Sequence, residues 1–112
     1  MQRTPIKKRR SKPRRGPMRD AKYRAFVRTQ PCAVAVLSKL RGGKRCFGLT
    51  QAAHTENNGM SSKGPDSSCA PLCCDHHAEY DAGRERFERR YLINMKNNAR
   101  VCYERYLQER AA

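Results

Sequence analysis

The sequence predicts a small α+β domain: two short strands leading into a helix, further helices on either side, a zinc ion as staple and a disordered basic arm in front. Three observations carry that expectation. The chain is short and thinly apolar, with 112 residues, no Trp and 7% aromatics, and cores this thin often need a metal, a disulfide or a partner. It holds six cysteines and three histidines, and the segment Cys73-Cys74-Asp75-His76-His77 concentrates them. Two strand-like runs separated by a turn-rich loop give way after Leu72 to helical periodicity. The length allows one domain.

The arm is residues 1–19. It contains nine basic side chains, no acid, and Pro5, Pro13, Gly16 and Pro17, so it cannot bury enough apolar surface to offset the entropy of ordering. The domain is residues 20–112. Asp20 is placed to cap a helix that runs to about Thr29, with Tyr23, Phe26 and Val27 as its apolar stripe. Pro31 ends that helix and delivers Cys32. A mildly apolar stretch follows, then a basic loop over 39–45 that turns at Gly42-Gly43.

The first strand is expected over Phe47–His54 and the second over Ser68–Leu72. The loop from Thr55 to Ser67 between them is long for a compact domain, which marks it as a functional candidate. A helix beginning near Asp75 carries His77 and Asp81 as far as Gly83. Phe87, Tyr91 and Met95 at i, i+4 and i+8, with Leu92 alongside, predict a helix over 84–96 that Asn97-Asn98 breaks. Val101, Cys102, Tyr106 and Leu107 mark a last amphipathic helix. The aromatics at this spacing are core positions. Cys69, Cys74 and Cys102 are left as packing or unassigned thiols.

Charge selects the partner class. The net charge is +15, from 25 Lys and Arg against 10 Asp and Glu; nine of those bases lie in the arm, which leaves the domain at +6. A polyanion is the implied partner, nucleic acid before anionic lipid, because no apolar or lipidation signal accompanies the charge. The longest apolar run, Ala33 to Leu37, is too short to span a bilayer. No signal-peptide pattern precedes it. The expectation is a cytoplasmic chain with reduced thiols and no membrane partner, its cysteines binding metal or packing. A secreted, disulfide-rich, membrane-active peptide is correspondingly disfavoured.

Chemistry concentrates around the histidines. Cys73 and His76, three apart, have the spacing of half a tetrahedral zinc site. His77 and Asp81, at i and i+4, share a helix face and can hold one divalent ion between them. His54 closes the first strand beside that helix in a ββα arrangement suited to phosphodiester hydrolysis. A metal there would neutralise the scissile phosphate and the departing 3′ oxygen, while a neutral imidazole takes a proton from water. An unperturbed histidine pKa of about 6.5 suits that task.

The same residues carry a resemblance. From Tyr23 to about Asn94 the chain resembles the HNH endonucleases of the recombination-enhancement (Ref-like) group found in bacteriophages and prophages. The likeness runs through Arg28-Thr29-Gln30-Pro31-Cys32-Ala33-Val34 and Ala52-Ala53-His54. It continues with Gly59-Met60-Ser61-Ser62-Lys63-Gly64-Pro65-Asp66 and Pro71-Leu72-Cys73-Cys74-Asp75-His76-His77. It implies a ββα-metal (HNH, or His-Me finger) core and a metal-dependent endonuclease acting on DNA in phage recombination or DNA processing inside a bacterial host. His54 falls at the general base, His77 at the central Asn/His position, and Asp81 where the family usually has a last histidine ligand. Cys32, Cys73 and His76 fall at structural zinc positions. A recombinase filament is a further candidate partner.

Three departures qualify the likeness. The family's second cysteine is here Ala35; Cys46 is the natural replacement, with Cys69 and Cys74 as competitors. Asp81 in place of histidine favours a hard ion, magnesium or manganese. Ala53 stands where many such enzymes place a metal ligand. Phosphate contacts are expected from Lys7, Lys8, Arg9, Arg10, Lys12, Arg14 and Arg15, with Lys63 either joining them or merely solvated. Asp66 is expected to cap or brace the long loop. Ala53 and Asp81 also admit a second class of reading, a zinc-stapled DNA-binding module without catalysis.

Overall fold

A computed structural model describes residues 19–40, 42–56 and 64–111. The expected arm up to Met18, with Lys7, Lys8, Arg9, Arg10, Lys12, Arg14 and Arg15, and the loop segment that includes Lys63, lie outside the described residues. The described part is a small α+β domain built on a two-stranded antiparallel sheet.

Helix α1, Ala21–Arg28, begins where Asp20 accepts a hydrogen bond from the Tyr23 amide, a side-chain cap for an otherwise orphaned donor. It buries Tyr23 and Val27. A short turn of helix, α2 at Leu37–Leu40, follows the Cys32 segment. Strand β1, Thr50–His54, pairs with β2, Cys69–Cys73, in a register that sets Thr50 opposite Cys73 and His54 opposite Cys69. Helix α3, Cys74–Ala82, continues from β2 without a loop. Helices α4, Arg84–Tyr91, and α5, Met95–Ala111, complete the domain.

The sheet lies between two packed groups. Ala53, Ala70, Leu72 and Cys73 join Val34, Tyr80, Phe87, Tyr91 and Met95 on one side. Cys69 joins Tyr23, Val27, Cys102 and Tyr106 on the other. Strand β2 is buried at all five positions, so it reads as a continuous apolar run rather than an alternating one. Burying a side chain such as Leu72 or Phe87 contributes about 1.5–3 kcal/mol.

Several boundaries differ from expectation. The first strand starts at Thr50, not Phe47. Gly48 takes a left-handed conformation at φ 83°, which turns the chain and leaves Phe47 and Leu49 at 69% and 87% exposure. The second strand starts at Cys69, because Asp66–Ser68 form a 3-10 turn closed by the Ser68 amide on the Pro65 carbonyl. Helix α3 starts at Cys74, with the Cys73 sulfur as its cap acceptor.

The expected helix over 84–96 is two elements. Leu92 turns left-handed at φ 51° and stops α4. Asn94 then accepts from the Asn97 amide and Glu88 from the Met95 amide, so α5 starts before the expected breaker and runs through Asn97-Asn98. Leu92, expected beside the core stripe, is 68% exposed, and Val101 and Leu107 are also on the surface.

Candidate metal centre and adjoining cleft

Four ligand-bearing side chains converge from three segments. Pro31 and the end of α1 deliver Cys32, which the Ala33 amide ties to β2 through the Pro71 carbonyl at 2.8 Å. The basic loop brings Cys46. Cys73 ends β2, and His76 sits in the first turn of α3. His76 Nδ1 lies 3.1 Å from the Cys73 sulfur, 3.4 Å from that of Cys32 and 3.6 Å from that of Cys46. All four ligand atoms fall within 4.8 Å of one another. A tetrahedral zinc ion, with bonds of about 2.3 Å to sulfur and 2.0–2.1 Å to nitrogen, has S···N edges of roughly 3.5 Å. The donor set and its dimensions fit, so Cys32, Cys46, Cys73 and His76 can hold a metal ion such as zinc.

The surroundings orient the set. His76 is fully buried, and its Nε2–H donates to the Lys44 carbonyl at 2.7 Å, which leaves the Nδ1 lone pair facing the sulfurs. The Phe47 and His76 amides both donate to the Cys73 sulfur at 3.4 Å. Tyr91 accepts from the Lys44 amide and donates to Glu79 at 2.8 Å, so the loop carrying Cys46 is fixed to α3 and α4. Burial pushes the Cys32 thiol up to about 12, and burial also raises Cys46, with the charge of the Cys73 sulfur adding to both. A coordinated cation reverses that balance and holds such thiols deprotonated.

Beside this centre, a cleft of about 480 Å³ is lined by Arg24, Arg28, Gln51, Ala52, His54, His77, Asp81 and Arg84. His77 Nδ1–H donates to Gln51 Oε1 at 2.6 Å, which turns Nε2 toward Asp81 Oδ2, 3.5 Å away. Arg84 lies 3.8 Å from Asp81 and donates to the His54 carbonyl at 3.0 Å. His54, His77 and Asp81 thus open into one cleft. His54 Nε2 nevertheless faces away from the other two, toward Asp66 Oδ1 at 2.9 Å. Among the described residues no group of three or more ligand atoms joins His54 to His77 and Asp81.

Asp66 is the group that sequence reasoning undervalued. Expected as a loop brace, it is only 1% exposed and takes four donors. These are the Asp20 amide at 2.6 Å, Arg24 Nε at 3.0 Å, His54 Nε2 and, at 3.5 Å, Arg19. Burial is the largest influence and pushes its pKa up, but the Asp20 amide, His54 and Arg24 together hold the carboxyl below the ordinary range. The only local signal was a lone carboxylate in a basic chain.

His54, Asp66 and Cys69 also lie within metal-ligand range of one another. The two guanidinium groups on the carboxylate oppose a divalent ion, and its lone pairs are already taken, so this trio is a hydrogen-bonded hub. Cys69 and Cys102 pack around Tyr23, whose hydroxyl donates to the Cys69 carbonyl at 2.9 Å, and Cys74 is exposed.

No family model matches the chain, and neither curated proteins nor solved structures give a significant match. No helix among the described residues is long and apolar enough to cross a membrane.

Proposed function

We propose that the protein is a metal-dependent endonuclease of the HNH type that hydrolyses DNA phosphodiester bonds, with zinc as a structural staple at Cys32, Cys46, Cys73 and His76. The observation that carries the reading is the cleft itself: His54 and the His77–Asp81 pair open into a groove lined by three arginines. Arg28 and Arg84 draw a phosphodiester into the groove. His54 takes a proton from a water molecule, the resulting hydroxide bonds to phosphorus, and the bond from phosphorus to the 3′ oxygen breaks. The leaving oxygen takes up a proton from solvent. His77 and Asp81 would hold a magnesium or manganese ion, which when bound would supply charge neutralisation to the phosphate and the leaving oxygen. The basic arm adds phosphate contacts, and the proposed setting is phage recombination or DNA processing, with a recombinase filament as a candidate partner.

The test is a nicking assay on single-stranded and duplex DNA, with magnesium, manganese or EDTA, with and without recombinase filaments. Cleavage that requires the divalent ion, and falls by at least about 100-fold in His54→Ala with DNA binding retained, is the expected result. One observation favours a second reading, a zinc-stapled DNA-binding module without catalysis: Ala53 is fully buried in the core and the His77–Asp81 pair has no third ligand among the described residues. DNA binding by the zinc-loaded protein that needs no magnesium or manganese, without cleavage on any substrate, selects that reading instead.

A further inference from the structure

We propose that Asp66 is a positioning residue for His54, holding the imidazole in the tautomer protonated at Nε2 so that the Nδ1 lone pair is the one available to accept a proton. Its catalytic consequence rests on the nuclease reading; the hydrogen-bond assignment does not.

Donors and acceptors decide the tautomer. An ionised carboxylate only accepts hydrogen bonds. Asp66 is kept ionised by the amide of Asp20 and the guanidinium of Arg24 on Oδ2, with Arg19 reaching Oδ1. The nitrogen of His54 that sits 2.9 Å from Oδ1 therefore carries the hydrogen. In the neutral ring the other nitrogen must then be bare, and among the described residues no group bonds to it. The backbone that carries the ring is fixed from both sides, because Arg84 grips the His54 carbonyl and β1 pairs His54 with Cys69, and Asp66 Oδ1 then sets the ring itself.

Asp66 is itself held rigidly. Its 3-10 turn is closed by Ser68 on Pro65, and the loop base is clamped by the Gly64 amide on the Glu56 carbonyl at 2.9 Å. A Cβ at Gly64 would collide with that carbonyl, so the close approach requires glycine. One carboxylate thus fixes the orientation of His54, the start of α1 and Arg24 in the cleft wall.

The discriminating variant is Asp66→Asn. With Asp20 and Arg24 still donating, the amide oxygen is claimed by them and the NH2 faces His54 Nε2. A donor there demands a lone pair on Nε2, so the hydrogen moves to Nδ1 and the ring turns from a base into a donor toward the cleft. The experiment is imidazole 15N NMR on the full chain with its native metal, at a pH where the ring is neutral, with His54 assigned by loss of its signals in His54→Gln.

The expected spectrum shows protonated Nε2 and bare Nδ1 in the wild type, inverted or mixed in Asp66→Asn. Where cleavage is measurable, kcat falls by about 100- to 10,000-fold with KM little changed. A wild-type ring protonated at Nδ1 overturns the proposal, as does an unchanged tautomer in a folded, metal-loaded Asp66→Asn. Should that variant fail to fold, the wild-type spectrum alone decides. The correct tautomer without DNA cleavage removes the nuclease reading and leaves the Asp66–His54 assignment standing.

Discussion

Cys73 does three things with one sulfur: it ends β2, caps α3 through the His76 amide, and faces the His76 ring. A substitution can separate these roles. Serine retains an oxygen that caps a helix as well as any side chain, but it removes the soft thiolate that the metal requires. Cys73→Ser is therefore expected to lose the bound metal and the cooperative thermal transition that depends on it, since structural zinc binding is itself folding free energy, about 10–16 kcal/mol in zinc-finger peptides. Elemental analysis and a thermal melt read the result. Cys74→Ser, one residue on and exposed, is the control, and it should keep both the metal and the transition. Equal metal content in the two variants would remove Cys73 from the centre. Of the quartet, Cys73 and His76 are legible from their spacing alone. Asp66 is not legible, because its partners lie 12 to 47 residues away and none is predictable from local pattern.

Elements were legible where capping and burial agree with periodicity. Asp20 before the Tyr23, Phe26 and Val27 stripe gives α1 to within a residue of its observed ends. The two strands are right in order but displaced, because apolar Phe47 and Leu49 extend the pattern without being buried. The helix at 84–96 failed for a specific reason. Phe87, Tyr91 and Met95 fit one continuous stripe, and a leucine gives no hint of a left-handed stop. That stop has a measurable consequence. An L-residue held left-handed costs about 1–2 kcal/mol, partly offset in a glycine replacement by the larger entropy of its unfolded chain. With the Leu92 side chain mostly in solvent, Leu92→Gly is expected to raise stability by about 0.5–1 kcal/mol in urea unfolding. A loss of stability would mean that Leu92 packs against something its exposure does not reveal.

At the scale of the molecule, the proposed DNA binding draws on two sources of positive charge. The arm contributes nine bases without an acid, and the domain carries a further net +6, including the arginines around the cleft. If about six phosphates of duplex DNA are neutralised by the whole chain, log K against log salt should slope by roughly −5, and each phosphate no longer neutralised should flatten it by about 0.9. Truncation after Met18 removes eight of the arm's nine bases. It keeps Arg19, whose guanidinium donates to the Gly64 carbonyl and reaches Asp66, so the hub behind His54 stays intact. The truncated protein is expected to retain its metal content and thermal midpoint while its salt slope flattens by several of those steps. A slope unchanged by truncation would assign DNA binding to the domain alone. A lost metal or a lowered midpoint would show instead that residues 1–18 belong to the fold, and that the boundary between arm and domain lies further toward the N-terminus.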